Sequence, residues 1–211
     1  MKKKFVLVAL FIFPLVAYLF FASGVNNFGR LPVLVERVPE IPFAEGKVSL
    51  EGKISVLGFL GHDIAHKKGV AFNLNQKIYK RFGEFDDFQV VMLAPTGHEA
   101  AAAELKRELG QISQVDKWHF AFGSEAEIHT YFQSLGTPLA LGRDLSSPYV
   151  FIIDKARGLR GRKDDDVGGT KFGFDATSVS DLNNKMVDDV KIILAEYRLA
   201  LKKNNGIGSE K

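Results

Sequence analysis

Apolar and polar positions divide the chain into a long apolar start, a stretch without a period, and a region in which short apolar runs alternate with amphipathic segments. Residues 5–22 carry no charge and follow three lysines, Lys2 to Lys4. At about 1.5 Å per residue, a helix of that length spans roughly 27 Å, which is enough to cross the core of a bilayer. The positive-inside rule keeps the lysines in the cytoplasm, so the rest of the chain is exported.

The apolar run allows two interpretations. Residues 22–24 (ASG) offer small side chains at a cleavage spacing, as a secretory signal peptide does. The run is longer than a usual signal core and ends in the bulky residues 19–21 (LFF), which favours an uncleaved anchor. We therefore predict a single-pass anchor in the cytoplasmic membrane over residues 1–24, with the following domain on the periplasmic side. A cleaved signal peptide is the alternative.

The rest of the chain divides into three parts. Residues 25–47 contain prolines and glycines without a helical period, which predicts an extended linker that ends in a turn at Glu45-Gly46. Residues 48–203 are the predicted folded domain, and residues 204–211 a disordered tail.

Within the domain, predicted strands and helices alternate. Short runs of β-branched and aromatic residues predict buried strands at 54–60, 88–94 and 149–153, with a weaker strand at 117–122. Amphipathic segments predict helices at 70–82, 97–109, 124–135 and 180–203. Ser124 with Glu127 is a capping box, and Ser180 is the predicted cap of the last helix.

A turn over residues 154–158, with Gly158 supplying a positive φ angle, leads into a short partner strand at 159–162. Strands separated by helices, followed by a hairpin and a closing helix, predict an α/β domain with a central mixed sheet flanked by helices. The order matches a thioredoxin-like fold. The last helix is expected to pack on this sheet; a partner-binding face is the alternative.

The amino-acid composition excludes several kinds of chemistry and of partner. The chain has 0 Cys, which excludes disulfides, thiol nucleophiles and thiolate metal sites. The net charge of +3 equals the charge of the three N-terminal lysines, and the remaining basic and acidic groups cancel. We therefore expect no nucleic-acid partner.

Three segments carry a family resemblance. Residues 52–59 (GKISVLGF) look like a first core strand, and residues 118–124 (WHFAFGS) are similar to a W-x-F-L-T-G segment before a helix. Residues 151–161 (FIIDKARGLRG) resemble a hairpin of the form F-L-I-D-x-x-G-x-I-R-G. In this order, behind an N-terminal anchor, they resemble the Sco family, which comprises membrane-anchored thioredoxin-fold copper proteins linked to assembly of cytochrome c oxidase.

The resemblance implies where that family's chemistry would lie. Its C-x-x-x-C-P motif begins three residues after the aromatic residue that matches Phe59, so its cysteines fall on His62 and His66 and its proline on Lys67. Its copper-binding histidine lies eight residues before the hairpin aspartate and falls on Ser146. Without sulfur, neither Cu(I) binding nor disulfide exchange carries over to these positions.

His62 and His66 are the candidate metal ligands. Two imidazoles four residues apart on a helical turn can face one ion, and copper(II), zinc or nickel suits imidazole better than copper(I). A tight site needs a third ligand, but Asp63 is predicted to point off the shared face and Ser146 is predicted not to ligate. The alternative is that both histidines are polar surface residues and that the chain holds no cofactor.

Other candidate chemistry is weaker. The Gly-rich loop 163–175 places three consecutive acids, residues 164–166, near Asp175, which would suit a hard cation but is more typical of a solvated turn. Ser146-Ser147 lacks the G-x-S-x-G elbow of a hydrolase.

We therefore expect an exported, membrane-anchored, thiol-free domain that is not an enzyme. Its expected role is that of an accessory or docking factor in respiratory oxidase or copper-site assembly, with protein contacts through residues 62–68 and 146–148. The alternative is a metal carrier that uses His62 and His66.

Overall fold

The computed structural model describes residues 30–44, 46, 48–166 and 168–207, together with Leu10 and residues 12–16. Residues 12–16 are helical, but most of the predicted anchor over residues 5–22 lies outside the described residues, as do residues 208–211. Among the residues that are described, none of the helices is both long enough and apolar enough to cross a bilayer. The anchor therefore stays a prediction.

A mixed sheet forms the centre of the domain. Its strands are β1 (Val33–Val35), β2 (Ile54–Phe59), β3 (Phe88–Pro95), β4 (Trp118–Gly123), β5 (Tyr149–Ile153), β6 (Leu159–Arg160) and β9 (Phe174–Asp175). Two further strands, β7 (Arg162–Asp165) and β8 (Gly169–Lys171), pair with each other. The strand order is β1-β6-β5-β2-β3-β4, and β9 pairs with β5.

Strand direction confirms the predicted mixed sheet. β2, β3 and β4 are parallel, whereas β5 is antiparallel to β2 and to β6. Parallel neighbours require crossovers, which the helices between them supply. The arrangement fits a thioredoxin-like fold.

The helices lie close to their predicted positions. They are α1 (Lys68–Leu74), a π-helical segment (Asn75–Tyr79), α2 (Lys80–Phe82), α3 (Glu99–Gly110), α4 (Glu125–Ser134), α5 (Val179–Asp181), a second π-helical segment (Leu182–Met186) and α6 (Val187–Ile207). The predicted capping box of α4 is present, since Ser124 Oγ accepts from the Glu127 backbone N–H and the Glu127 carboxylate accepts from the Ser124 backbone N–H.

Alternate residues of the strands face two apolar layers. Ile54 and Val56 of β2 pack with α1, α3 and α6, whereas Leu57 and Phe59 pack with α4 and with residues 38–50. The period of two places successive side chains on opposite faces. Because both faces are covered, β2 is buried throughout. As expected, α6 packs on the sheet, through Val190 and Ile193.

The predicted linker contributes to this domain. Its residues 33–35 form β1, which pairs with β6, and Val38, Ile41 and Ala44 are buried. The absence of a period predicts a tether, but the scattered apolar side chains of this segment fill the layer beside α4.

Four local predictions are wrong. The positive φ angle of the 154–158 turn belongs to Arg157 (+65°), not to Gly158, where an added Cβ would lie in tight contact with Asp154 Oδ2 (3.2 Å). The cap of the C-terminal helix is Ser178, not Ser180, since Ser178 Oγ accepts from the Asp181 N–H.

The other two concern the ends of elements. The strand that pairs with β5 ends at Arg160 rather than at residue 162. Helix α6 continues to Ile207, so residues 204–207 of the predicted tail are helical.

A buried ion-pair network joins the hairpin to both ends of the domain. Arg160 Nη1 donates to Asp154 Oδ2 (2.8 Å), Nη2 donates to Glu196 Oε2 (2.7 Å), and Nε donates to the Leu31 carbonyl oxygen (2.9 Å). Burial by itself would lower the pKa of Arg160, but the bonds to Glu196 and Asp154 outweigh it and raise that pKa. The network holds Leu31 and α6 against β6.

Candidate functional site

Two loops meet at the carboxyl end of β2, where the family's metal motif would lie. They are residues 60–68 and residues 142–148, and we call them together the rim. Leu60 forms an antiparallel bridge with Ser146, and the His62 N–H donates to the Asp144 carbonyl oxygen (2.9 Å). The two segments that the resemblance aligned with copper ligands are therefore neighbours in space.

Gly61 makes this meeting of the loops possible. Its φ angle is +67°, a conformation that side chains with a Cβ rarely adopt. An added Cβ would lie 2.2 Å from the Asp144 carbonyl oxygen and 2.7 Å from the Ser146 backbone nitrogen. A glycine is thus needed both for the turn and for the close approach.

Asp144 is the centre of the rim. Ser146 Oγ donates to both carboxylate oxygens of Asp144 at 2.8 Å, and Lys67 Nζ lies 3.6 Å from Asp144 Oδ2. Burial alone would raise the pKa of Asp144, but the bonds from Ser146 and the charge of Lys67 outweigh it and hold that pKa below its usual value. The Ser146 hydroxyl is thus engaged with a carboxylate of the same loop.

His66 pairs with its own neighbour. His66 Nδ1 lies 2.5 Å from Asp63 Oδ2, and the imidazole is 85% exposed. The bond from His66 lowers the pKa of Asp63. The sequence predicts that Asp63 points off the face that His62 and His66 would share, but Asp63 lies beside His66, because residues 64–67 form a turn and the helix begins only at Lys68.

His62 faces two residues that the sequence analysis did not connect with it. His62 Nε2 lies 3.1 Å from Glu125 Oε1, and its ring centroid is 5.2 Å from that of His98. His98 Nδ1 in turn lies 3.2 Å from the Pro95 carbonyl oxygen. His62, His98 and Glu125 follow the parallel strands β2, β3 and β4, whose carboxyl ends share one edge of the sheet.

The two candidate ligands thus have different partners: His62 contacts Glu125 and His98, and His66 contacts Asp63. Within the described residues, no group of three or more His, Asp or Glu side chains is arranged to hold a metal ion. The donor set also does not fit the copper(I) of the resembled family, because no sulfur is present and the Ser146 hydroxyl binds Asp144.

Signals for the missed residues exist in the sequence. Asp144 stands two positions before Ser146, the spacing at which an aspartate accepts bonds from the following backbone and hydroxyl. His98 and Glu125 each lie just beyond a predicted strand, and parallel strands bring such positions together. The predicted strands therefore already place these residues at one edge of the sheet.

The acidic loop is part of a salt-bridged hairpin. Asp165 on β7 pairs with Lys185 (2.7 Å), which outweighs its burial and lowers the pKa of Asp165. Asp175 accepts bonds from Thr177, whereas Asp164 and Asp166 are more open to solvent. None of the described acids of this loop belongs to a group of three or more side chains that could hold a metal ion.

No protein-family model matches the chain, and no curated protein matches it either. Solved structures do resemble it, and Sco-family proteins are among them. A SCO1/SenC family lipoprotein from Bacillus anthracis is 16% identical with a TM-score of 0.46, over 69% of this chain and 83% of that one. The soluble domain of Sco1 from Bacillus subtilis is also 16% identical with a TM-score of 0.46, over 79% of this chain and 97% of that one.

A further match lies outside that family. A candidate protein disulfide isomerase from Bacteroides thetaiotaomicron is 15% identical with a TM-score of 0.46, over 79% of this chain and 94% of that one. At these identities and TM-scores, the matches carry no conclusion about what this chain binds or does.

Proposed function

We propose that this chain is a thiol-free, Sco-like domain that acts as a non-catalytic docking factor in the assembly of a respiratory oxidase or its copper site. The rim is its contact surface, and residues 5–22 anchor it to the outer face of the cytoplasmic membrane. The motif resemblance of residues 52–59, 118–124 and 151–161 to the Sco family supports this pathway.

One observation carries the proposal. Every rim position that the resemblance aligns with a metal ligand is occupied by a side chain that binds a neighbouring carboxylate: His62 binds Glu125, His66 binds Asp63 and Ser146 binds Asp144. These contacts place charged and polar groups on the rim, and without cysteine the rim has no thiol chemistry. A polar surface of this kind suits contact with a protein partner.

Capture from membranes tests the proposal. The tagged full-length chain would be extracted in mild detergent, and the variant His66→Ala/Lys67→Ala would be compared with His129→Ala/Lys163→Ala. The control changes the same residue types at exposed positions on α4 and β7, which are not among the rim residues. We expect the native chain and the control to enrich oxidase subunits or copper-assembly proteins, and the rim variant to lose them.

Two results would contradict the proposal. One is a native chain that captures none of these proteins; the other is a rim variant that captures them as well as the control does. Thermal unfolding of both variants checks that a loss of capture is not a loss of folding.

The metal-carrier alternative has one observation in its favour. His62 lies beside a second imidazole, His98, and beside the carboxylate of Glu125. Copper(II) and zinc(II) titrations of the full chain in detergent would be compared with His62→Ala/His66→Ala and with His129→Ala. Binding that only the double variant loses would establish a carrier, and a native chain that binds neither ion would reject it.

A further inference from the structure

An apolar groove opens between the end of α2 and the outer side of α6, and we call it the α6 groove. It encloses about 330 Å³ and is lined by Phe82, Phe85, Leu194 and Leu199 among others. Phe85 and Leu199 are 38% and 45% exposed. Large apolar side chains grouped on a surface mark an interaction site more often than single ones do.

Basic groups border this groove. Lys191 and Arg198 line it, and Lys191 also pairs with Asp188 (3.0 Å). Beyond Glu196 the sequence contains Arg198, Lys202 and Lys203 and no acidic residue before Glu210. Apolar side chains next to Lys and Arg are the pattern that attracts a helix face to an anionic bilayer.

The chain enters the domain beside the same part of α6. The Leu31 N–H donates to Glu196 Oε1 (2.9 Å), and Arg160 holds the Leu31 carbonyl oxygen. Glu196 and Leu199 are three residues apart, so they lie about one turn apart on α6.

The anchor sets how far the domain can lie from the membrane. Residues 23–29, between the apolar run and Arg30, can span at most about 25 Å when fully extended. This step rests on the proposed membrane anchor. Given that anchor, the end of α6 near Leu199 stays within reach of the bilayer surface.

We propose that the α6 groove and the basic end of α6 dock on the surface of an anionic bilayer. Phe85 and Leu199 enter the interfacial region, and Lys191 and Arg198 lie against the lipid headgroups. The rim lies at the carboxyl edge of the sheet and is not part of this face, so it stays open for a protein partner.

The absence of cysteine makes the test direct, because a single introduced cysteine can be labelled without background. The full chain would carry a fluorophore at Leu199→Cys, or at Thr130→Cys as the control. Thr130 is exposed on α4, which packs on the opposite face of the sheet. Each protein would be placed in nanodiscs that contain spin-labelled lipid, with either mixed zwitterionic and anionic headgroups or zwitterionic headgroups alone.

We expect strong quenching at position 199 in anionic discs, little at position 130, and weaker quenching at position 199 in zwitterionic discs or high salt. Arg198→Ala and Lys191→Ala should each shift the ratio of docked to undocked domain about fivefold toward undocked. Equal quenching at the two positions, or none at position 199 in a chain that co-elutes with the discs, would overturn the docking proposal alone.

A chain that does not co-elute with the discs would overturn the anchor as well. Shielding of position 199 in native membranes but not in lipid-only discs would assign this face to a protein partner and overturn lipid docking.

Discussion

At the scale of single residues, Gly61 and Gly52 show two reasons for a glycine: a positive φ angle, and a close approach of another backbone segment. Both have positive φ angles, +67° and +76°, but only Gly61 faces another segment of backbone; a Cβ on Gly52 would meet nothing within 4 Å. We expect Gly52→Ala to lower the free energy of unfolding by about 1–2 kcal/mol, the usual cost of that conformation. Gly61→Ala should cost about 1–3 kcal/mol more, because the clash with Asp144 adds to that cost.

Urea unfolding of the two variants measures this difference. Equal losses would mean that the rim loops separate freely, and the close approach of Gly61 to Asp144 would then not constrain the site.

Asp144 makes the stability of the folded protein depend on pH. Because its pKa in the folded protein lies below the usual 3.8, folding favours the ionised carboxylate. Its contribution to the free energy of unfolding is therefore present above pH 3.8 and is lost as the pH falls through the lowered pKa. Asp144→Asn should remove this part of the fall in the free energy of unfolding at acid pH. Asp164→Asn, at an exposed position of β7, should leave that fall unchanged.

Unfolding measured from neutral to acid pH checks the sign. If the free energy of unfolding of Asp144→Asn falls as steeply at acid pH as that of the native chain, Asp144 does not cause this pH dependence.

At the scale of elements, the serine that caps the C-terminal helix differs from the one that the local sequence predicts. Ser180 precedes the amphipathic run and is predicted to cap it, but Ser178 has the extended backbone of a cap and accepts from the Asp181 N–H at 3.2 Å. Ser180 instead accepts from Asn184 on the exposed surface (3.2 Å). Ser178→Ala should therefore lower the free energy of unfolding by about 1 kcal/mol.

Ser180→Ala is the matched control and should change stability by less than about 0.5 kcal/mol. Thermal or urea unfolding distinguishes the two, and a larger loss for Ser180→Ala would restore the cap expected from the sequence.

At the scale of the whole molecule, Arg160 connects segments that are far apart in the chain. Its side chain is 6% exposed, and its partners Asp154 and Glu196 are 4% and 18% exposed. Arg160→Met would leave both carboxylates without their cation, so we expect a loss of about 3–5 kcal/mol in the free energy of unfolding.

Arg107→Met is the control, because Arg107 and Glu104 form an exposed pair, at 62% and 47%, on α3. It should cost less than about 1 kcal/mol. If both variants lost the same amount in urea unfolding, the network would not be a structural link between the N-terminal segment, the hairpin and α6.

Much of the architecture could be predicted from the sequence because it depends on local periodicity. The runs at 54–60, 88–94 and 149–153 are apolar on both faces, and such strands have few alternatives to the centre of a sheet. The capping box at Ser124 could be predicted for the same reason, since both of its hydrogen bonds lie within four residues. The packing of residues 33–44 could not, because its apolar residues follow no period.

The sequence by itself determined that this chain has no thiol chemistry, that its strands and helices alternate, and that an apolar run precedes the domain. Composition and short-range spacing are sufficient for such conclusions. Only the tertiary structure decided that His62 faces Glu125 and His98 rather than His66, and that Asp144 holds the rim together. These contacts join residues far apart in the chain, and their geometry depends on strand direction and loop packing, which no local pattern contains.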